Sequence, residues 1–336
     1  MNVGIIGAGA IISNFFQFAS EVKGMSLKAI CATPTEEAKI LEMCKENNIP
    51  SAYTDVDVML KDETIDTVYV AVPNHLHYLF CKKALESGKH VICEKPFTSN
   101  YKEALELVEL TKAKNLFLFE AVSTRYIPNA LKIKEMLPQL GNIKILSMSY
   151  SQYSSRYDAF KAGEVLPAFN PDMSGGALMD LNIYNINFAV TLFGAPKHIN
   201  YEANIERGID TSGVLTLDYG SFKCVSVAAK DCKAPISTSI QGDEGCIVIP
   251  SSLNVISNYK VLMNKTDAKQ MSADGGEEVD YNEGKHRMYP EFVEFVRMIK
   301  ENDIKKMHEM LEISLITMQI QTEARKSAGV VFAADK

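Results

Sequence analysis

Apolar and polar positions in the first third of the chain alternate between two periods. Short apolar runs at Asn2–Gly7, Ser26–Ala32, Thr67–Val72, Lys89–Cys93 and Leu116–Glu120 read as buried strands. Between them, apolar residues recur at helical spacing in Ile11–Val22 (Ile12, Phe15, Phe16, Ala19, Val22), Thr35–Glu46, His77–Ser87 and Tyr101–Lys114. Strands separated by helix-length segments predict βαβ units and a parallel sheet. The middle of the chain is different. Ile143–Tyr153 alternates as a half-buried strand does, and Val214–Tyr219 and Phe222–Ala229 flank a tight Gly220-Ser221 turn, which predicts a hairpin. Ile236–Gln241, Cys246–Ile249 and Tyr259–Met263 extend this into a mostly antiparallel, open sheet. Two amphipathic helices close the chain. One carries Tyr289, Phe292, Phe295, Val296 and Ile299, and the other runs from Met307 to Lys326, with Gly329 as its stop signal. The expected fold class is α/β, divided into a parallel-sheet βαβ domain over residues 1–120, an α/β domain over 121–285, and helices over 286–336 packing back on the domains.

Composition narrows the function classes. A length of 336 residues favours two domains, and 46% hydrophobic with 23% charged residues is ordinary globular usage. Thirty-five Lys+Arg against 42 Asp+Glu leave a net charge of −7, so the basic footprint of a nucleic-acid binder is missing. No apolar run approaches the ~20 residues of a membrane helix, and Met1–Ile6 lacks the basic start of a signal peptide. Seven cysteines without a C-x-x-C pair suit reduced thiols in the cytoplasm. His198, His286 and His308 show no ligand spacing, so no metal is expected.

Chemistry first appears at Gly7-Ala8-Gly9-Ala10-Ile11-Ile12, between the first strand and the first helix. Gly7 allows the tight turn, Gly9 lets backbone approach a pyrophosphate, and the helix start supplies N–H groups. Ile12 stands where a third glycine is usual, which puts close helix–strand packing in question there. The second strand ends in Cys31-Ala32-Thr33-Pro34-Thr35, with neither the acid that binds a ribose 2′-hydroxyl nor an arginine. Thr33 and Thr35 can bond a phosphate and Lys39 can help, while Glu36 and Glu37 are expected to face solvent. The turn therefore favours NADP, with NAD possible. A further strand ends in Cys93-Glu94-Lys95-Pro96. A lysine at the carboxyl end of a parallel strand faces the ligand crevice; desolvation and an oxidised nicotinamide should lower its pKa and suit it to proton transfer. An ordinary surface lysine is the competing reading.

Glu94-Lys95-Pro96 resembles the signature of the Gfo/Idh/MocA oxidoreductases. Val72-Pro73-Asn74-His75-Leu76-His77 resembles that family's Thr-Pro-Asn-x-x-His loop, with Val72 replacing the threonine. Ser174-Gly175-Gly176-Ala177-Leu178-Met179-Asp180-Leu181-Asn182-Ile183-Tyr184 resembles its Gly-Gly-Gly-x-Leu-x-Asp-x-Gly-x-His/Tyr segment, with Ser174 and Asn182 replacing glycines. Tyr184, and Phe119-Glu120-Ala121 followed by Arg125-Tyr126-Ile127-Pro128, are similar to the dimeric dihydrodiol dehydrogenase and glucose–fructose oxidoreductase branch. The likeness spans nearly the whole chain. It implies a Rossmann domain plus an α/β domain whose open sheet mediates dimers or larger homo-oligomers, and Lys95 as acid/base. It also implies that Asp180 and Tyr184 face Lys95 from the second domain; a helical segment would put residues i and i+4 on one face. Gly7, Gly9, Ala10, Ile11, Ile12, Thr33, Val72, Pro73, Asn74, His77, Glu94 and Lys95 form the candidate cofactor set.

Other residues carry weaker signals. His77 suits contact with cofactor or backbone, or a helix cap, and His90 inside a strand reads as structural. Arg125, Tyr126 and Arg156 are the candidate substrate-binding residues, although a solvated charged loop is the simpler reading of Arg156, Tyr157 and Lys161. The expected activity is NAD(P)-dependent hydride transfer between nicotinamide and a hydroxyl or carbonyl carbon of a sugar, polyol or alicyclic alcohol. A non-catalytic regulator on the same fold and a sugar-nucleotide dehydrogenase are the alternatives. The expected partner is a small molecule, with neither nucleic acid nor membrane.

Overall fold

The computed structural model describes residues 1–264 and 276–336. Their contacts divide them into two units, Met1–Ala121 with Met288–Leu315, and Val122–Arg287 with Ile316–Lys336.

The first unit is built on six parallel strands: β1 (Asn2–Ile6), β2 (Ser26–Cys31), β3 (Ser51–Tyr53), β4 (Thr67–Val70), β5 (His90–Glu94) and β6 (Leu118–Ala121). Their order is β3-β2-β1-β4-β5-β6, with every pairing parallel. This is the doubly wound dinucleotide order, and the strand sequence reverses direction between β1 and β4. Helices α1 (Ala10–Ala19), α2 (Glu37–Glu46), α3 (Val56–Met59), α4 (His77–Glu86) and α5 (Tyr101–Lys114) fill the crossovers, and α10 (Tyr289–Glu301) comes from the C-terminal stretch. Both faces of the sheet are covered, so β4 is buried at every residue and reads as a continuous apolar run. An aromatic cluster holds α1 and α10 to β4. Phe292 lies 4.7 Å from Phe15 and 5.3 Å from Tyr69 between ring centroids, and Phe295 stacks on Phe119 at 4.6 Å. Ile12, in place of the third glycine, is fully buried. The close packing in question at that position is thus met by a core isoleucine. The three residues of β3 and four of α3 are too short for a period to show.

The second unit carries an eight-stranded sheet: β7 (Ile143–Ser151), β8 (His198–Glu206), β9 (Ile209–Asp218), β10 (Lys223–Ala229), β11 (Ser237–Gly242), β12 (Gly245–Ile249), β13 (Tyr259–Met263) and β14 (Glu277–Val279). The order is β14-β13-β12-β11-β7-β10-β9-β8; β7 and β10 are parallel and the other neighbours antiparallel. The β9–β10 hairpin turns as expected, with the Gly220 amide donating to Asp218 Oδ1 at 2.6 Å. Helices α6 (Pro128–Met136), α7 (Tyr157–Lys161), α8 (Ala177–Asp180) and α9 (Asn182–Phe193) belong here, and α11 (Ile304–Ser327) contributes to both units. One face of the sheet buries Leu146, Met148, Leu215, Leu217, Cys224, Ala228 and Ile240. On the other, Val225 and Val227 are half-buried, while Ile145 and Val214 are exposed.

Candidate active site

In the first unit, the candidate cofactor residues collect at the carboxyl ends of β1, β2, β4 and β5. Gly7 takes a φ of 115°, and a Cβ there would lie 2.3 Å from the Ala71 carbonyl oxygen, so β1 and β4 approach too closely for any side chain. Gly9 is different in kind. Its φ is an ordinary −75°, and a Cβ would meet nothing within 4 Å. The space in front of it is open, and α1 begins there with no side-chain cap and no acid in its first turn. An uncapped helix N-terminus beneath an open glycine backbone suits a pyrophosphate, so these residues fit a dinucleotide. Lys39 reaches the same turn, its Nζ donating to the Ala8 carbonyl at 2.5 Å.

The turn after β2 is more tied up than its sequence suggests. Thr33 Oγ1 shares a hydrogen bond with Thr35 Oγ1 at 2.9 Å and donates to Glu36 Oε2 at 3.1 Å. Glu36, expected to face solvent alone, thus supports Thr33. The helix expected from Thr35 starts as a 3-10 turn over Pro34–Glu36 and only then becomes α2.

β4 runs on into Val72-Pro73-Asn74, with Pro73 exposed and its neighbours half-buried. His77, fully buried at the start of α4, braces this loop. Its Nε2 lies 2.9 Å from the Val72 carbonyl oxygen and its Nδ1 2.7 Å from that of Pro96. Burial pushes the imidazole pKa down to about 4, the nearby Lys95 and His75 charges adding to this, although both carbonyls favour the protonated ring. The neutral ring donates to one of the two carbonyls. Of the three roles open for His77, the structure gives it backbone bracing. His90 also does structural work, its Nδ1 accepting the Phe117 amide at 3.1 Å. Beyond His77, β5 ends in a buried Glu94 and a half-buried Lys95. The Tyr69 hydroxyl, buried in the aromatic cluster, donates to Glu94 Oε1 at 2.5 Å. Tyr69 was not singled out in the sequence, where it reads as one more apolar strand residue.

In the second unit, the segment around Asp180 is two short helices rather than one. α8 ends at Asp180, Leu181 breaks the run, and the Tyr184 amide bonds to Leu181 rather than Asp180. The i, i+4 relation of a continuous helix is therefore interrupted. What fixes this segment is Asp210, a fully buried carboxylate at the start of β9. Its Oδ2 accepts the Leu178 amide at 2.7 Å and the Tyr201 hydroxyl at 2.8 Å. Gly176 has a φ of 105°, and a Cβ there would lie 2.1 Å from Asp210 Oδ1, so the glycine makes room for the anchoring carboxylate. Burial raises the Asp210 pKa to about 6, against the lowering effect of the Leu178 amide, the Tyr201 hydroxyl and the Lys230 charge. Ser174, where a glycine is usual, takes a φ of 57°. Asn182 fills its glycine position with an interior network, its Oδ1 accepting from Asn185 Nδ2 at 3.0 Å and Ser226 Oγ at 2.5 Å.

The Asp180 carboxylate is half-buried and accepts from Lys230 Nζ at 2.6 Å. Lys230 was missed in the sequence, although the signal that selects Lys95, a lysine directly after an apolar strand, is present there too. Tyr184 is buried, its ring centroid 6.3 Å from that of Tyr150. Arg125 is buried and gives Nε (2.9 Å) and Nη2 (2.5 Å) to Asn187 Oδ1 on α9. Tyr126 beside it is buried, whereas Arg156 is exposed at the start of α7. Among the described residues, no group of three or more His, Cys, Asp or Glu side chains could hold a metal ion, and no helix is long and apolar enough to cross a membrane.

Comparison with known proteins gives this arrangement a family. Residues 1–122 match the oxidoreductase family with an NAD-binding Rossmann fold, and residues 131–248 match the GFO/IDH/MocA C-terminal domain. Across 99% of this chain and 98% of its own length, the scyllo-inositol 2-dehydrogenase (NADP(+)) IolU of Bacillus subtilis is 36% identical. The trans-1,2-dihydrobenzene-1,2-diol dehydrogenase of Danio rerio is 27% identical, covering 99% of this chain and 98% of its own. KijD10, a 3-ketoreductase from Actinomadura kijaniata solved with NADP and TDP-benzene, shares the fold at a TM-score of 0.84 with 18% identity, covering 99% of each chain. The chain belongs to the Gfo/Idh/MocA family and is an NAD(P)-dependent oxidoreductase acting on CH–OH groups.

Proposed function

We propose that the substrate is a cyclitol or a closely related ring polyol and that the preferred cofactor is NADP. The observation that carries the reading is Lys95, half-buried at the carboxyl end of β5, on the same edge of the sheet as the open glycine turn after β1. The Bacillus subtilis relative, named for scyllo-inositol and NADP(+), supports both choices. The turn after β2 supports the second, with threonines in place of a terminal acid and Lys39 at the neighbouring loop.

When bound, the cofactor accepts or supplies the hydride; the chain does the rest. The first-turn amides of α1 and the backbone at Gly9 hold the pyrophosphate. His77 fixes the loop at Val72-Pro73-Asn74 and the Pro96 carbonyl, which sets the backbone next to Lys95. Lys95 Nζ takes the hydroxyl proton in oxidation and returns it in reduction. The Tyr184 phenol donates a hydrogen bond to the substrate oxygen, and Asp180 binds a neighbouring hydroxyl. Arg125, through Asn187, steadies the helix that carries Tyr184.

An assay of NADP⁺ reduction over a panel of inositols, aldoses and linear polyols tests this. Turnover on at least one inositol with NADP⁺ is expected; turnover on aldoses alone overturns the substrate assignment. We also propose a cytoplasmic homodimer or larger homo-oligomer formed through the valine-rich open face of the second sheet. A single 37.2 kDa species in light scattering at micromolar concentration counts against it.

A further inference from the structure

Lys230 follows the last residue of β10, and its side chain is 3% exposed. Lysine is almost never buried to this degree unless it is paired. Its ammonium donates to Asp180 Oδ2 at 2.6 Å and to the Ala168 carbonyl at 3.2 Å, and it sits 5.0 Å above the ring centroid of the buried Phe169. Its backbone is held on both sides, the amide by Thr211 O and the carbonyl by the Ser154 amide, both at 2.8 Å. Asp180, by contrast, leaves 35% of its side chain exposed. One partner is locked inside and the other reaches outward. A pair needed only for packing gains little over apolar residues of the same volume, because removing an ammonium from water costs several kcal/mol.

We propose that Lys230 is a positioning residue: it holds Asp180 as an oriented, ionised hydrogen-bond acceptor for a substrate hydroxyl next to the reacting carbon. This rests on the assignment of Asp180 to substrate binding made above. Other charged and titratable groups face the pair. Asp210 feels the Lys230 charge, Asp231 follows Lys230 in the chain, and Tyr201 is bonded to Asp210. Asp231 is engaged elsewhere, accepting from Thr211 Oγ1 at 2.7 Å and Ser212 Oγ at 2.8 Å. Asp210 holds the backbone of α8. Lys230 is the buried charge that holds Asp180 Oδ2 directly. A carboxylate so held accepts protons in hydrogen bonds and does not give one up, so the acid/base step stays with Lys95.

The test is a double-mutant cycle of Lys230→Met and Asp180→Asn in the full chain, with Lys95→Met as a control. It reads kcat and KM on an inositol with NADP⁺, the pH profile of kcat/KM, the cofactor Kd and the melting temperature. Lys230→Met is expected to lower kcat/KM at neutral pH by roughly 10–100-fold, in line with the loss of one charged hydrogen bond. A new limb on the acid side of its profile is expected, with cofactor Kd unchanged. Added to Asp180→Asn, the same substitution should cost less than threefold, and the double variant should melt above Asp180→Asn, which buries an ammonium opposite a neutral amide. Equal losses in both backgrounds, or a Lys230→Met enzyme with the wild-type pH profile, overturn the proposal. Should Lys230→Met fail to fold, the double variant, with no buried charge, still decides: kcat/KM far below that of Asp180→Asn overturns it. Failure of the underlying reading looks different, since Lys95→Met or Asp180→Asn would then turn over as fast as the wild type.

Discussion

Strands β5 and β10 each run out into a lysine, and the two lysines meet different surroundings. Lys95 follows the buried Glu94 at the end of a parallel strand and is itself half-buried, beside the His77 brace. Lys230 ends a strand between a parallel and an antiparallel neighbour and is enclosed, with its charge directed onto Asp180. The difference extends to the units around them. In the first, the sheet carries the candidate groups directly, because the carboxyl ends of parallel strands converge on the ligand crevice. In the second, the mostly antiparallel sheet has no such common end, β7 and β10 being its one parallel pair among the described strands. Asp180 sits on a one-turn helix held by residues from β9 and β10 that are distant in sequence.

The largest expected effect falls on the first unit. Lys95→Met preserves side-chain length and should lower turnover by ~10²–10⁴-fold while cofactor titrations by fluorescence stay unchanged. Near-normal turnover would move the proton step to Tyr184 and erase the contrast between the two lysines.

A pair of glycines sharpens it next. Gly176→Ala forces a side chain into positive φ and against Asp210, so a loss of about 1–3 kcal/mol or more in urea unfolding is expected. Gly9→Ala meets open space in an ordinary conformation and should leave stability within about 0.5 kcal/mol. It should instead weaken NADPH binding by on the order of tenfold, because the methyl enters the pyrophosphate cradle. If both variants behave alike, the two glycines do not divide into structural and functional.

Two buried titratable groups give the comparison a sign. The His77 pKa is depressed from 6.5 to about 4, so between those values the unfolded chain binds more protons and stability rises with pH. The Asp210 pKa is raised from 3.8 to about 6, so across nearly the same window the folded chain binds more protons and stability falls as pH rises. The two contributions oppose each other in the wild type. His77→Gln should make the stability of the protein fall more steeply from pH 4 to pH 6, and Asp210→Asn should make it rise. Denaturant unfolding at half-unit pH steps measures both slopes, and slopes that move together would break the assignment.

These groups also show how far the sequence could be read. The strand-end lysine, the glycine turn and the βαβ order of the first unit were legible because each lies in a continuous stretch whose local period or turn chemistry carries the information. Asp180 and Tyr184 were visible only through a motif resemblance, and their supports were not. Asp210 sits at the start of a strand and Lys230 after another, and only the long-range pairing of β9 with β10 and α8 brings them to Asp180. β8 alternates from Ile199 to Ile205 and could have been read as a strand. As an edge strand it keeps its polar positions in water, so its apolar signal is weaker than that of β9 beside it.

The smallest effect concerns cofactor choice. Thr33→Asp should shift the NADPH/NADH affinity ratio toward NADH severalfold, by supplying an acid at the end of β2 that repels a 2′-phosphate. An unchanged ratio in paired titrations would assign the preference to Lys39 instead.

The exposed turn at Thr33, Thr35 and Glu36 has a consequence for descent. Its hydroxyls and carboxylate bond to one another and to the half-exposed Lys39, all within one local stretch, so single substitutions there can be accepted one at a time with little loss of stability. Asp180 is held through a buried ammonium, a buried carboxylate and a glycine that admits no side chain, so a change at any one of them strands the others. In a lineage built on this scaffold, the choice between NAD and NADP can drift in small neutral steps. The side proposed to bind the substrate hydroxyl can change only by coordinated replacement of residues far apart in the chain.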